Sequence, residues 1–151
     1  MGERSYDENY LRYAMMNLGV MLDSGVRKCS IPMNRLYEMF LESDISVQFG
    51  QGNPKYIVGT SGSELLDLLM GEYGMEMSED NDGTYRPGPE FWTGQALAFY
   101  QWTSGRSFQI LNKHGINAEY VVWMYYPLHE ASFEKFTDVA DEITGFAANP
   151  I

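Results

Sequence analysis

Cys29, His114 and His129 are the residues whose types most readily suggest covalent chemistry. A cysteine activated by an imidazole is a nucleophile, and Arg27 and Lys28 beside Cys29 are neighbours that lower a thiol pKa. No residue stands out in the sequence as its partner. One cysteine and two histidines in 151 residues are what ordinary composition supplies. Neither histidine belongs to an HExxH or similar zinc spacing, so no metal is expected. Carboxylates are too abundant to single out a pair for general acid–base work. Ser78-Glu79-Asp80-Asn81-Asp82-Gly83 opens like a calcium loop, with oxygens at alternate positions and glycine sixth. Its first residue, however, is Ser78 rather than Asp, and its twelfth is Pro89 where a bidentate Glu is needed. Gly59-Thr60-Ser61-Gly62-Ser63 has no Lys following in P-loop register. The expectation is a chain without catalytic residues, metal or cofactor.

Charge is more informative. Between Glu64 and Glu90 stand eight acidic residues (Glu64, Asp67, Glu72, Glu76, Glu79, Asp80, Asp82, Glu90) and one basic residue, Arg86. Most of the net charge of −11 therefore sits in one stretch. Such a field repels phosphate backbones and attracts basic surfaces. Ten basic residues scattered among 21 acidic ones offer no stripe to replace DNA counterions, which excludes direct nucleic-acid binding. Glu72, Glu76, Glu79, Asp80 and Asp82 are the candidate partner-binding residues, and the partner they fit is a basic protein. Met75 and Met77, on either side of Glu76, add soft apolar contact.

These residues need a scaffold. A chain of this length buries about 70% of the surface its unfolded form exposes, enough for one domain without staples. Apolar content of 44%, with 15% aromatics, argues against disorder. A lone cysteine suits a reducing cytoplasm, and the N-terminus lacks an apolar segment of signal-peptide length. No stretch approaches 18 uninterrupted apolar residues, so no membrane span is expected.

The apolar spacing predicts a mainly helical, all-α domain of about six helices. Leu11, Ala14, Met15, Leu18, Met21, Leu22 and Val26 recur at three and four from Asp7 to about Lys28. Pro32 opens a second helix to about Ser43. Ile45, Val47 and Phe49 alternate, so a short β element is possible near 45–58. Gly50 to Pro54 is a turn. Ser61 with Glu64 is a capping box for a helix ending near Gly74. An acidic surface loop at about 75–89 follows. Glu90 to Thr103 is apolar almost all round, a helix buried on several sides. Gly94 within it costs about 1 kcal/mol relative to Ala, which makes sense where another backbone passes close. Helices over Ser107 to about His114, Asn117 to about Tyr126, and Ser132 to Thr144 complete the fold, with Gly115 and Gly145 as C-terminal caps. His114 caps a helix end and His129-Glu130 initiates the last helix. The methionines and the three tryptophans are read as core filling.

Phe108 to Tyr125 has the spacing of a helix-turn-helix, but its second helix offers Asn117, Glu119, Tyr120 and Trp123 where base edges need Arg, Lys, Asn or Gln. A tight hairpin within the core is the preferred reading. The run Pro89-Glu90-Phe91-Trp92-Thr93-Gly94-Gln95-Ala96-Leu97-Ala98-Phe99-Tyr100-Gln101-Trp102, continuing through Phe108, and the later Tyr126-Pro127-Leu128-His129-Glu130-Ala131 resemble the C-terminal signature of a group of small acidic bacterial proteins. Members of that group, mostly uncharacterised, occur in mobile elements and near toxin–antitoxin loci, and some similar proteins inhibit CRISPR effector nucleases. The resemblance runs from residue 89 onward and implies no catalytic residues. Charge and resemblance together lead to the expectation of a non-catalytic inhibitor that blocks a basic nucleic-acid-handling protein such as a CRISPR effector nuclease. The alternatives are an antitoxin that covers a toxin's active site, and a small enzyme using Cys29 or paired carboxylates.

Overall fold

The computed structural model describes residues 4–76 and 87–147, which are all-α: they contain helices and turns and no strand. The helices are more numerous and shorter than the six expected. Asp7 caps a 3-10 turn at Glu8–Tyr10, its carboxylate accepting from the Asn9 amide at 2.8 Å, and the chain continues as α1, Leu11–Arg27. The predicted stripe faces inward: Ala14, Leu18, Met21 and Leu22 have no exposed surface. Helix α2 spans Met33–Glu42 after Pro32.

The possible β element near 45–58 is not there; that stretch is two short helices. Ser43 Oγ accepts from the Ile45 amide at 3.1 Å and starts α3, Asp44–Gly50. Ile45 and Phe49, four apart, are buried while Val47 is exposed, so the period is helical and the alternation was coincidental. Asn53 Oδ1 accepts from the Lys55 amide at 3.1 Å and, with Pro54 in the first turn, opens α4, Pro54–Ile57. The capping box forms as read: Ser61 Oγ accepts from the Glu64 amide, Glu64 Oε1 accepts from the Ser61 amide, and α5 runs Gly62–Glu72.

Helix α6, Pro89–Ser104, is the hub, with Trp92, Ala96, Leu97, Ala98, Tyr100 and Trp102 buried. It lies directly on α1. A Cβ built on Gly94 would stand 2.5 Å from the Gly19 Cα and nitrogen and 2.6 Å from the Leu18 carbonyl carbon, so the backbone approach expected at Gly94 is real. Asn17 ties α1 to its other neighbours: Nδ2 donates to the Ile57 carbonyl at 2.6 Å and Oδ1 accepts from the Gly62 amide at 3.1 Å.

The C-terminal third departs further from the sequence reading. Helix α7 is Phe108–Lys113, with His114 at its C-terminus and Gly115 following at φ 94°. The helix expected from Asn117 to about Tyr126 is broken into α8, Ala118–Val121, a 3-10 turn at Val122–Met124, and α9, Tyr125–Leu128. Pro127 is the reason. In a continuous helix its missing N–H would face the Trp123 carbonyl and its ring would clash there, whereas in the first turn of a new helix that N–H has no helical partner to lose. His129 closes α9 instead of initiating the last helix. That helix, α10, Phe133–Thr144, is capped by Ser132 and ends at Gly145 with φ 80°. Buried residues from α1 to α10 form one continuous core.

Candidate interaction surface

Of the five carboxylates expected to bind a partner, the structure places Glu72 and Glu76; Glu79, Asp80 and Asp82 lie outside the described residues, as does most of the calcium-like segment from Ser78. Glu72 ends α5 and Glu76 lies four residues on, both exposed and neither in an ion pair among the described residues. Glu72 accepts from Ser43 Oγ at 2.8 and 3.0 Å, the same hydroxyl that caps α3. Beside it, the Tyr73 hydroxyl donates to Glu42 at 2.9 Å. Burial and the Glu42 carboxylate both raise the Tyr73 pKa. Arg35 is the nearby guanidinium; it pairs with Glu38, reaches Glu42 at 3.8 Å and lies 5.2 Å from the Tyr73 ring centroid. It does not pair with Glu72 or Glu76. Met75 is exposed, in keeping with soft contact; Met77 falls outside the described residues.

The residues considered for covalent chemistry are placed as follows. Cys29 is half-buried in the turn between α1 and α2. The His114 ring packs on Phe146, centroids 4.8 Å apart, and His129 stacks on Tyr125 at 4.2 Å, with Nδ1 2.8 Å from the Tyr125 carbonyl. Among the described residues no three His, Cys, Asp or Glu side chains converge as a metal site requires, and no helix is long and apolar enough to cross a membrane.

A second surface carries a correction. Trp92 and Trp102 fill the core at 6% and 4% exposure, but Trp123 does not: it is 80% exposed, with Tyr126 at 79% and Tyr120 at 50%. They follow one another at intervals of three, Tyr120 in α8, Trp123 in the 3-10 turn and Tyr126 in α9. Ala118 and Val121 are buried, and Tyr125 anchors the segment edge-on against Trp92 at 5.9 Å. From His114 to Glu134 the chain has Glu119, Glu130 and Glu134 and no Lys or Arg. The three exposed rings thus lie in a run of sequence whose Lys and Arg neighbours begin only at Lys113 and Lys135. Sequence reasoning missed their exposure because buried and exposed tryptophans look alike in sequence. The available signal was Pro127, which rules out a continuous helix and so the regular inward stripe.

Among the cavities of the surface, two border α2 or α3. One, of about 700 Å³, borders α3 and the α6–α7 turn. The Gln101 amide nitrogen forms part of its wall, donating to the Gly50 and Arg106 carbonyls at 3.0 Å, and this ties three segments together. The other, of about 230 Å³, lies between α2 and the α7–α8 turn and is walled by Tyr37, Glu38 and Glu119 among others. Tyr37 is 2% exposed, and its hydroxyl has no hydrogen-bond partner among the described residues. Burial raises its pKa, so the phenol stays protonated.

No protein-family model, curated protein or solved structure matches this chain.

Proposed function

We propose that this chain is a non-catalytic protein inhibitor. It engages a basic nucleic-acid-handling protein, such as a CRISPR effector nuclease, and competes with the polynucleotide for the cationic groove. The observation that carries this reading is the exposed Tyr120–Trp123–Tyr126 face in a stretch whose only charges are carboxylates. Guanidinium groups stack on tryptophan and tyrosine rings and pair with carboxylates, so such a face is complementary to arginine-rich protein. Glu72 and Glu76, exposed and without ion pairs among the described residues, support it from the acidic stretch, with Glu79, Asp80 and Asp82 in sequence beside them.

Charge reversal at Glu72, Glu76, Glu79, Asp80 and Asp82 tests it. With carboxylates steering the encounter, reversal to Lys lowers inhibitor potency by roughly a hundredfold and flattens its salt dependence, while the melting temperature stays nearly constant. Inhibition that survives the reversal removes the proposal. The apolar centre of the aromatic face favours one second reading, an antitoxin that seats these rings in a toxin's active-site cleft. A toxin gene adjoining this one, and neutralisation insensitive to salt, would favour it.

A further inference from the structure

We infer that Arg4, Ser5 and Tyr6 form a strap that opens while the helical body stays folded, uncovering Trp102. The strap lies ahead of the 3-10 turn at Glu8–Tyr10, belongs to no helix and crosses the C-terminal end of α6. The Ser5 amide donates to the Trp102 carbonyl at 3.0 Å, and the Trp102 indole Nε1–H donates to the Tyr6 carbonyl at 2.8 Å. The Ser5 hydroxyl donates to the Gln101 carbonyl at 3.0 Å and accepts from Gln101 Nε2 at 2.7 Å. The Arg4 guanidinium lies 4.8 Å from the Trp102 ring centroid, and Tyr6 sits so close to Gly52 that a Cβ there would stand 2.5 Å from its own. Beneath these contacts Trp102 is 4% exposed.

Three features make this closure easy to undo. The Trp102 carbonyl is one of the last in α6 and has no partner inside the helix, so its bond to Ser5 passes to water without unwinding a turn. Gln101 Nε2 carries two hydrogens and faces three acceptors, Ser5 Oγ and the carbonyls of Gly50 and Arg106. When Ser5 leaves, each hydrogen still has a carbonyl. Finally, the Tyr6 hydroxyl is buried with no hydrogen-bond partner among the described residues, a penalty that ends when the strap opens and the hydroxyl meets water. Ser5 is also part of the wall of the 700 Å³ cavity beside α3, so the movement that uncovers Trp102 widens that cavity as well.

Native-state hydrogen exchange of the full chain, followed by NMR at the Ser5 amide and the Trp102 indole N–H, tests the strap. The Leu97 amide, inside α6, reports unfolding of the body. One opening frees both strap protons, so their protection factors agree and lie at least about tenfold below that of Leu97. Urea below the unfolding transition leaves them unchanged, because little surface is exposed, while exchange at Leu97 quickens. A smaller gap, or the urea slope of Leu97 at the strap protons, means that strap and body unfold together and overturns the inference. A complete lack of protection at both protons overturns it too, since the strap would then not be closed.

Two variants move the strap in opposite directions. Tyr6→Phe keeps the ring and removes the unsatisfied hydroxyl, so protection at Ser5 and Trp102 rises about tenfold while Leu97 is unchanged. Ser5→Ala removes both hydroxyl links and leaves Gln101 Nε2 on its two carbonyls, so protection at Trp102 falls about fivefold, again with Leu97 unchanged. Protection that falls or stays level in Tyr6→Phe, protection that Ser5→Ala leaves intact, or a Leu97 amide that follows the strap protons in either variant overturns the inference.

Discussion

Trp92 on α6 and Trp123 in the 3-10 turn are treated in opposite ways by one fold. Trp92 packs edge-on against Tyr125 and Phe136, with centroids 5.9 and 5.6 Å away, and is 6% exposed; Trp123 is 80% exposed. Burying a side chain of that size removes about 200 Å² from water, on the order of 5 kcal/mol at 25 cal/mol per Å². The fold forgoes most of that at Trp123 and at Tyr126 beside it. The α1–α6 region shows the contrary tactic. Gly19 and Gly94 give up side chains altogether so that two backbones can touch, and the large residues around them are driven inward. Small residues thus serve close packing at the α1–α6 contact, while two of the largest side chains stay in water at Trp123 and Tyr126.

The largest expected effect breaks that comparison directly. Trp92→Ala should cost about 3–5 kcal/mol of unfolding free energy, whereas Trp123→Ala should stay within about 0.5 kcal/mol of the parent by urea denaturation. Partner binding should show the reverse order: Trp123→Ala loses it while the protein stays folded. If Trp123→Ala proves as destabilising as Trp92→Ala, the exposed ring is structural and the surface has no claim to a partner.

Next in size is the glycine contact. Gly94→Ala places a methyl group 2.5 Å from Gly19 backbone atoms, and neither side has a flexible side chain that could yield. Separating α1 from α6 should cost about 3 kcal/mol, at the upper end for overpacking. Gly71→Ala, on the exposed face of α5, is the counterpart: nothing lies within 4 Å of its Cβ position, so the better helix former should stabilise by about 0.5–1 kcal/mol. Equal effects at the two glycines would mean that the α1–α6 approach is looser than it looks.

Particular residues explain which features could be read from the sequence. Ser61 with Glu64, and Gly145 after Thr144, signal through local backbone chemistry, and both sit where that chemistry places them. Gly94 could be interpreted because a glycine amid large apolar residues needs a tertiary reason. Ile45, Val47 and Phe49 were ambiguous because three apolar residues two apart fit a strand, while the outer two alone fit a helix; the Ser43 and Asn53 caps decide between them. The candidate site was harder to read. Glu72 and Glu76 could be found from charge alone. The exposure of Trp123 depends on how Pro127 rewinds the chain into α9.

The smallest expected effect sharpens the comparison within the acidic stretch itself. Glu64 and Glu76 both add to the negative field, but Glu64 also serves the fold. Its carboxylate accepts from the Ser61 amide at 3.0 Å, and that bond, followed by the Ser61 hydroxyl, lowers its pKa. A carboxylate whose pKa is lower in the folded state adds stability that is fully present above its unfolded pKa of about 4.3 and is lost as pH falls through the folded value. In Glu64→Gln the side-chain oxygen still accepts from the Ser61 amide, but the charge is gone. The variant should therefore unfold at slightly lower urea than the parent at neutral pH. The gap should begin to close near the unfolded pKa and vanish below the folded one. Glu76→Gln, which removes a carboxylate with no cap to serve, should instead weaken partner binding and leave the urea midpoint at neutral pH unchanged. A Glu64→Gln gap that widened in acid would mean that the cap depends on the protonated acid, contrary to the hydrogen bonds that hold it.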